Sequence, residues 1–221
     1  MVAHRGLVGP APENTLESIS AAIAAGADGA EVDVRRDRSG RLILAHDPQP
    51  GGRGVLDPSP ALVGTPEPVE LGAALKLARG RLGLNLELKD PGLAVEVAGV
   101  ISSLSSPHEI LVSSFLESEI ATLARVLPEC PTGLVRGALG VGGRGLPGVV
   151  RQALACGATH LVIERHRARR RVLEGAVHSG LQVLVWTVNQ PTQLRRLLHD
   201  GRVSGVITDR AKLALELRLP G

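Results

Sequence analysis

Short apolar runs alternate with helix-like segments along the whole chain of 221 residues. Eight of these runs have the length and composition of strands, and a segment with helical periodicity follows each one. The eight runs begin at Val2, Gly29, Gly83, Ile110, Thr132, His160, Gln182 and Gly205. Eight strand–helix units in a chain of this length are what a minimal (β/α)8 barrel requires. The sequence therefore predicts an α/β fold, a (β/α)8 TIM barrel, in a single domain over residues 1–221.

A doubly wound open sheet is the alternative fold that the same alternation allows. That fold carries a glycine-rich dinucleotide fingerprint after its first strand, and none follows the predicted strand Val2–Arg5. Beside the second strand we expect a short hairpin partner, Arg41–Ala45, joined to it by an Asp-Arg-Ser-Gly turn. A helix over Thr15–Ala25, capped by Asn14, is predicted after the first strand.

The composition excludes several classes of function. The formal charge is only +3, and one Trp, one Phe and no Tyr leave little aromatic surface for stacking bases, so no nucleic-acid partner is expected. No apolar run is long enough to span a bilayer, and the first residues are typical of a strand rather than of a signal peptide. We therefore expect a cytoplasmic protein with no stable membrane insertion. The two cysteines, Cys130 and Cys156, match no metal spacing and are expected to be isolated buried thiols.

Two carboxylates share one face of the second predicted strand. Glu31 and Asp33 alternate there with three apolar residues. On a dry face they would repel each other, so we interpret them as oxygen ligands of a cation. A solvated face of an antiparallel strand is the alternative. It is less favoured because apolar stretches flank the strand and because a His-Asp pair follows closely at residues 46 and 47.

Ionisable and aromatic residues stand at most of the predicted strand ends. They are His4 and Arg5, Glu31 and Asp33, Glu87 and Lys89, Phe115, Glu164, Trp186 and Asp209. Active sites of (β/α)8 barrels form where the C-terminal strand ends meet. The sequence therefore predicts one polar site at that rim.

The order and spacing of short motifs resemble those of the glycerophosphodiester phosphodiesterase family. The motifs are His4-Arg-Gly6, Gly9, Pro12-Glu-Asn-Thr15, Glu31-x-Asp33, His46-Asp47, Glu87-x-Lys89, Ser114-Phe115, Trp186 and Thr208-Asp209. Each motif alone is weak, but together they extend over most of the chain. The resemblance implies a TIM barrel that hydrolyses glycerophosphodiesters to an alcohol and sn-glycerol 3-phosphate.

The same resemblance implies a role for each residue of the rim. Three carboxylates would bind one divalent metal ion, Mg²⁺ or Ca²⁺, with Mn²⁺ as a further alternative. Two histidines would form the acid/base pair, and three more residues would contact the substrate. The metal ligands are Glu31, Asp33 and Glu87, the acid/base pair is His4 and His46, and the substrate contacts are Arg5, Lys89 and Trp186. For Trp186, packing is an equal alternative. For Glu87 and Lys89, the alternative is an ion pair within one strand at the protein surface.

The chemistry of phosphodiester cleavage suits these roles independently. A cation together with Arg5 and Lys89 would neutralise the charge that develops at the attacked phosphorus. Two imidazoles can remove one proton and deliver another near neutral pH.

One departure from the family pattern bears on the substrate. Members usually carry a sizeable inserted subdomain after His46-Asp47, but here only a Pro/Gly-rich loop over 48–64 follows, so the insertion is much reduced. We expect an open mouth suited to small water-soluble glycerophosphodiesters, with broad headgroup tolerance. The alternatives are a lysophospholipase D-type activity, a lyase that forms a cyclic phosphate, or a non-catalytic barrel that binds glycerophosphodiesters. A basic run from Arg165 to Arg171 is interpreted as a solvated helix face rather than a binding patch.

Overall fold

The computed structural model describes residues 1–9, 11–48, 68–137 and 146–218. Nine strands within these residues form one sheet. They are β1 (Val2–Ala3), β2 (Gly29–Arg36), β3 (Leu42–Leu44), β4 (Gly83–Leu88), β5 (Ile110–Ser114), β6 (Thr132–Arg136), β7 (His160–Glu164), β8 (Gln182–Trp186) and β9 (Gly205–Thr208). The order is β1-β9-β8-β7-β6-β5-β4-β2-β3, and β1 also pairs with β2. That last pairing closes eight parallel strands into a barrel, so the predicted TIM barrel is confirmed.

Eight helices of the described residues surround the barrel. They are α1 (Leu16–Ala24), α2 (Leu71–Ala78), α3 (Ala94–Leu104), α4 (Glu117–Val126), α5 (Leu146–Ala155), α6 (Arg170–His178), α7 (Pro191–Leu198) and α8 (Ala211–Arg218). Their apolar faces pack on the outward side chains of the strands, which forms the larger of two hydrophobic clusters. Among the described residues, no helix has both the length and the apolar content needed to cross a bilayer.

The barrel interior is filled by a second, smaller apolar cluster. Val135, Val162, Leu184 and Ile207 are its buried members. Side chains alternate between the two faces of a strand, so the residues two positions further along β7, β8 and β9 also face inward. The inward positions of β2 and β4 carry polar residues instead. The apolar cluster therefore forms a floor, and the polar residues stand above it at the C-terminal rim.

The predicted hairpin is present and brings His46 to the rim. β3 pairs antiparallel with β2, with Val34 opposite Leu44. The turn is built on Asp37, whose Oδ1 accepts hydrogen bonds from the backbone N–H groups of Ser39 and Arg41, each at 2.9 Å. Beyond β3, the backbone N–H of Ala45 donates to the carbonyl oxygen of Asp33 at 3.0 Å.

The first strand is shorter than predicted because the chain turns sharply after Ala3. Arg5 has a φ of 53° and Gly6 a φ of 79°. Only glycine fits the second position, because a Cβ at Gly6 would lie 2.2 Å from Oγ of Ser18. This tight contact packs the turn directly against α1, so His4 and Arg5 follow the strand as turn residues at the rim.

The prediction that Asn14 caps α1 is wrong. The cap is Thr15, whose side chain accepts from the backbone N–H of Ser18 at 3.1 Å, while the Ser18 hydroxyl accepts from the backbone N–H of Thr15. Asn14 instead has a φ of 57°, is buried, and turns its side chain towards β2. The basic run from Arg165 to Arg171 is also not the single helix face that the sequence predicts. Arg165–Arg167 form a 3-10 turn, and α6 begins only at Arg170.

The pattern predicts a reduced insertion and an open loop over 48–64, and most of that stretch lies outside the described residues.

Candidate active site

Three carboxylates from adjacent strands meet at the rim. Glu31 and Asp33 are the inward residues of β2, and Glu87 is the inward residue of β4 that pairs in register with Asp33. One carboxylate oxygen from each lies within 4.8 Å of the other two. Glu31 and Asp33 are buried, and Glu87 is partly buried. The predicted metal ligands are therefore brought together by parallel pairing.

Lys89 binds two of the three carboxylates. Its Nζ is 2.9 Å from Oδ1 of Asp33 and also contacts Oε1 of Glu87. Burial lowers the pKa of Lys89, but the carboxylates of Glu87 and Asp33 outweigh it and raise that pKa overall. Burial raises the pKa of Asp33, but Lys89, Asn14 and Arg5 together lower it below its ordinary value. Lys89 was expected to contact phosphate, and that role stays a prediction.

Glu31 is the carboxylate that Lys89 does not contact directly. Burial, and then the charges of Asp33 and Glu87, raise the pKa of Glu31 well above its ordinary value. Its Oε2 accepts a hydrogen bond from the backbone N–H of Arg5 at 3.0 Å. Three clustered oxygen donors with excess negative charge, two of them buried, match what a hard divalent cation requires, so these residues fit the metal that the family resemblance implies.

Asn14 fixes the orientation of Asp33. Its Nδ2 donates to Oδ2 of Asp33, and its Oδ1 accepts from the backbone N–H of Asp33, both at 2.9 Å. This pair joins the loop before α1 to the middle of β2.

Arg5 lies beside the carboxylates with its guanidinium held by Glu13. Nη1 of Arg5 donates to both carboxylate oxygens of Glu13, at 2.9 and 2.8 Å, and Nε is 3.5 Å from Oδ2 of Asp33. Burial lowers the pKa of Arg5, but the hydrogen bond with Glu13 and the charge of Asp33 raise it overall. The site thus holds one fixed guanidinium at its edge.

His4 is held by a carboxylate that directly follows the last strand. Its Nδ1 is 2.6 Å from Oδ1 of Asp209, and its Nε2 is 3.9 Å from Oε2 of Glu31. Asn189 fixes Asp209 in turn, because its Nδ2 donates to Oδ2 of Asp209 and its Oδ1 accepts from the Asp209 backbone N–H. The hydrogen bond with His4 lowers the pKa of Asp209 despite partial burial. The ring is therefore oriented with Nε2 towards the carboxylate cluster.

His46 has a similar arrangement on the other side of β2. Its Nδ1 is 2.8 Å from Oδ1 of Asp47, and its carbonyl oxygen accepts from Nε of Arg35 at 2.8 Å. Arg35 is itself paired with Asp90. Both predicted acid/base histidines thus have Nδ1 on a carboxylate, and within the described part of the chain neither Nε2 makes a hydrogen bond.

The two aromatic residues of the rim meet each other. Phe115 and Trp186 contact each other edge to face, with ring centroids 5.9 Å apart and an interplanar angle of 88°. Trp186 rests on the apolar floor and pairs in register with Glu164 of β7. Trp186 therefore packs against the apolar floor and also stands at the rim.

Sequence reasoning missed several residues that position this site. The sequence predicts Asn14 only as a cap, assigns Glu13 no role of its own, and does not single out Asn189. The motif around Pro12 contained the first two. For Asn189, its place three residues after the end of β8 was the available signal.

The glycerophosphoryl diester phosphodiesterase family matches this chain over residues 4–52 and 91–213. A glycerophosphodiester phosphodiesterase of Bacillus altitudinis is 27% identical over 98% of this chain and 96% of its own length. One of Caldanaerobacter subterraneus subsp. tengcongensis is 24% identical over 98% and 96%.

Solved structures show the same fold. A glycerophosphodiester phosphodiesterase of Agrobacterium tumefaciens superposes with a TM-score of 0.76 at 25% identity, covering 98% of this chain and 97% of that one. An Oleispira antarctica phosphodiesterase in complex with sn-glycerol-3-phosphate superposes with a TM-score of 0.79 at 23% identity, covering 98% and 95%.

The TIM barrel and these matches define an enzyme of the phosphoric diester hydrolase class. The family match covers well over half of the chain, and the chain belongs to the glycerophosphoryl diester phosphodiesterase family. Glu87 and Lys89 lie between the two matched stretches, yet the β2–β4 pairing places them against Glu31 and Asp33.

Proposed function

We propose that this enzyme hydrolyses glycerophosphodiesters with small headgroups to an alcohol and sn-glycerol 3-phosphate, using one divalent cation bound by Glu31, Asp33 and Glu87. The observation that carries the proposal is the cluster of these three carboxylates on one rim with two carboxylate-paired histidines. The names of the relatives support the substrate class. The sn-glycerol-3-phosphate bound in the Oleispira antarctica structure supports a substrate that contains this group.

The charged residues account for binding of the phosphodiester. When bound, the cation supplies positive charge that stabilises the charge developing on the phosphoryl oxygens. Arg5 and Lys89 add two further cations beside the carboxylates. The hydrogen bonds to Glu13 and the ion pair with Asp33 hold the Arg5 side chain in place before the substrate binds, so this side chain needs little reorganisation.

The two histidines account for the proton transfers. Attack by water on phosphorus releases a proton, and the departing alkoxide of the headgroup needs one when its P–O bond breaks. One of His4 and His46 takes the first proton and the other supplies the second. Asp209 and Asp47 bind Nδ1 of the two rings and so leave each Nε2 to exchange the proton.

Hydrolysis of glycerophosphocholine by the purified protein tests the reaction. We expect glycerol 3-phosphate containing one oxygen from ¹⁸O-labelled water. A cyclic phosphate without solvent oxygen would instead identify a lyase. Binding of glycerophosphocholine without turnover would identify a non-catalytic barrel.

Metal removal tests the cation site by two independent readouts. Excess chelator should abolish activity, and Mg²⁺, Mn²⁺ or Ca²⁺ should restore it. Metal at about 100 times its dissociation constant stabilises a folded protein by about 2.7 kcal/mol, which raises the melting temperature of a domain of this size by roughly 5–10 °C. Glu31→Gln should lose this rise. Full activity in excess chelator, with no metal in the protein, would refute metal dependence.

A further inference from the structure

The only Phe and the only Trp of this chain meet at the mouth of the barrel. Aromatic rings usually contribute to the core, but here aliphatic side chains fill both hydrophobic clusters, apart from the contact of Trp186 with the floor. Phe115 is 43% exposed, so its ring remains accessible to a ligand. The two rings therefore form a rigid aromatic surface on the wall of the active-site mouth.

A carboxylate stands next to this aromatic surface. Glu164 is the last residue of β7 and pairs in register with Trp186. Val162, two residues earlier, belongs to the apolar floor, so Glu164 also faces the barrel interior. Its Oε2 is buried and has no hydrogen-bond partner among the residues that the structure describes, and its Oε1 lies 3.7 Å from Nε2 of His166. A buried carboxylate oxygen without a donor is costly, so a cationic ligand at this position would stabilise it.

Two arginines at the ends of β6 and β7 make other contacts. Arg136 is bound to Glu117 and to the carbonyl oxygens of Phe115 and Val135. Arg165 donates from Nη1 to the carbonyl oxygen of Thr187 at 3.2 Å. Neither contact neutralises Oε2 of Glu164.

Trp186 lies across the barrel from the carboxylate cluster, whereas Phe115 follows β5, the neighbour of β4, and its ring meets that of Trp186. In the closed ring of eight parallel strands, β7 is opposite β2 and β8 is opposite β4. Glu164 and Trp186 therefore face Asp33 and Glu87 across the mouth. The headgroup of a phosphodiester bound at the cluster would then lie towards Glu164 and Trp186.

We propose that Phe115, Trp186 and Glu164 form a subsite for a cationic headgroup, so that choline and ethanolamine diesters are preferred to neutral ones. This inference rests on the proposed function, because it concerns the far end of the same substrate. Aromatic faces attract an ammonium group electrostatically, and a quaternary ammonium has no N–H to satisfy by hydrogen bonds. The carboxylate of Glu164 adds the opposite charge beside the rings. This preference for cationic headgroups is narrower than the broad headgroup tolerance that the sequence predicts.

A pair of substrates with the same shape tests the charge preference. Glycerophosphocholine and the 3,3-dimethylbutyl ester of glycerol 3-phosphate differ by nitrogen against carbon at one position. We expect kcat/KM to be about tenfold higher for the choline ester. Glu164→Gln should remove most of that preference, because kcat/KM for the choline ester falls towards the value for the neutral ester. Phe115→Leu should reduce the preference in part.

Glu174→Gln is the matched control, because Glu174 lies on the exposed face of α6, paired with Arg170. It removes one negative charge outside the mouth and should leave the preference unchanged. Equal kcat/KM values for the two esters in the wild type would overturn the subsite and leave the proposed function standing.

Fluorescence of the single Trp tests binding without turnover. Trp186 is the only Trp, so its emission reports on this wall alone. Tetramethylammonium should change the emission saturably, 3,3-dimethylbutanol should not, and Glu164→Gln should weaken tetramethylammonium binding about tenfold. This readout holds even where no diester is cleaved, so failure of the proposed function and failure of the subsite give different results. Equal responses to both probes would refute the subsite.

Discussion

Asn14 binds Asp33 through both ends of its amide, across 19 residues of sequence. Asp33 is a candidate metal ligand, and partners that orient such ligands often determine metal affinity as strongly as the ligands themselves. The left-handed backbone of Asn14, with a φ of 57°, tolerates glycine without strain. A glycine at this position therefore removes the amide and little else.

We predict that Asn14→Gly raises the Mg²⁺ concentration needed for half-maximal activity by about 10- to 100-fold. Titration of chelator-treated protein with Mg²⁺ measures this value. Thr15→Ala is the control, because it removes the cap of α1 at a cost of about 1 kcal/mol without touching Asp33. An unchanged metal requirement in Asn14→Gly would show that the two hydrogen bonds only hold the loop.

His4 and His46 should each be required for turnover. We predict that His4→Ala and His46→Ala each lower kcat by at least about 10²-fold, and that the double variant is little worse than either. The pH profile of kcat/KM should be bell-shaped, because one imidazole must be neutral and the other charged. Near-wild-type turnover of His4→Ala would contradict the acid/base assignment.

Asp209 should act as a positioning residue through His4. We predict that Asp209→Asn lowers kcat by about 10²-fold with little change in KM, and shifts the pH profile, because the ring loses its carboxylate partner. The variant His4→Ala/Asp209→Asn should be no slower than His4→Ala. Asp200→Asn is a suitable control, because Asp200 also pairs with a basic side chain, Arg202, but beyond α7 rather than beside His4. Additive losses in the double variant would show that Asp209 acts independently of His4.

The barrel and its carboxylate cluster were predictable from sequence because both depend on local periodicity. The alternation of β2 alone placed Glu31 and Asp33 on one face, and parallel pairing with β4 then required Glu87 to lie beside them. The isolated buried state of Cys130 and Cys156 was likewise predictable from their spacing. In each case the relevant neighbours lie within one or two elements of the chain.

The positioning contacts were not predictable because they depend on how loops pack. Asn14 before a helix is typical of a cap, and only the left-handed turn at Arg5 and Asn14 directs its side chain to β2 instead. Asn189 meets Asp209 because β8 and β9 are neighbours and the residues beyond them converge at the rim. The carboxylate contacts of Lys89 also appear only once β2 and β4 pair.

The turn at Asp37 should give the protein a specific acid sensitivity. Burial raises the pKa of Asp37, but hydrogen bonds from Ser39 and Arg41 outweigh it and lower the pKa from 3.8 to about 2. A lowered carboxylate pKa stabilises the fold above the unfolded value of 3.8 and loses that contribution as pH falls towards about 2. The stability difference between wild type and Asp37→Asn, measured by urea unfolding, should therefore be constant above pH 5 and shrink as pH falls from about 4 to 2. A difference that does not change over this range would contradict the assigned pKa.

Substrate size should be limited by the short stretch after His46-Asp47. Residues 48–64 are rich in Gly and Pro in the sequence, and from this composition we expect no packed lid over an acyl chain. The whole chain has one Phe and one Trp, and both belong to the proposed cationic subsite rather than to an acyl groove. We therefore predict a higher kcat/KM for glycerophosphocholine than for lysophosphatidylcholine. Both carry choline, so the headgroup contribution cancels and the comparison isolates the acyl chain, provided that the lysolipid is kept below its micelle-forming concentration. A higher value for lysophosphatidylcholine would favour the lysophospholipase D-type alternative on the same barrel.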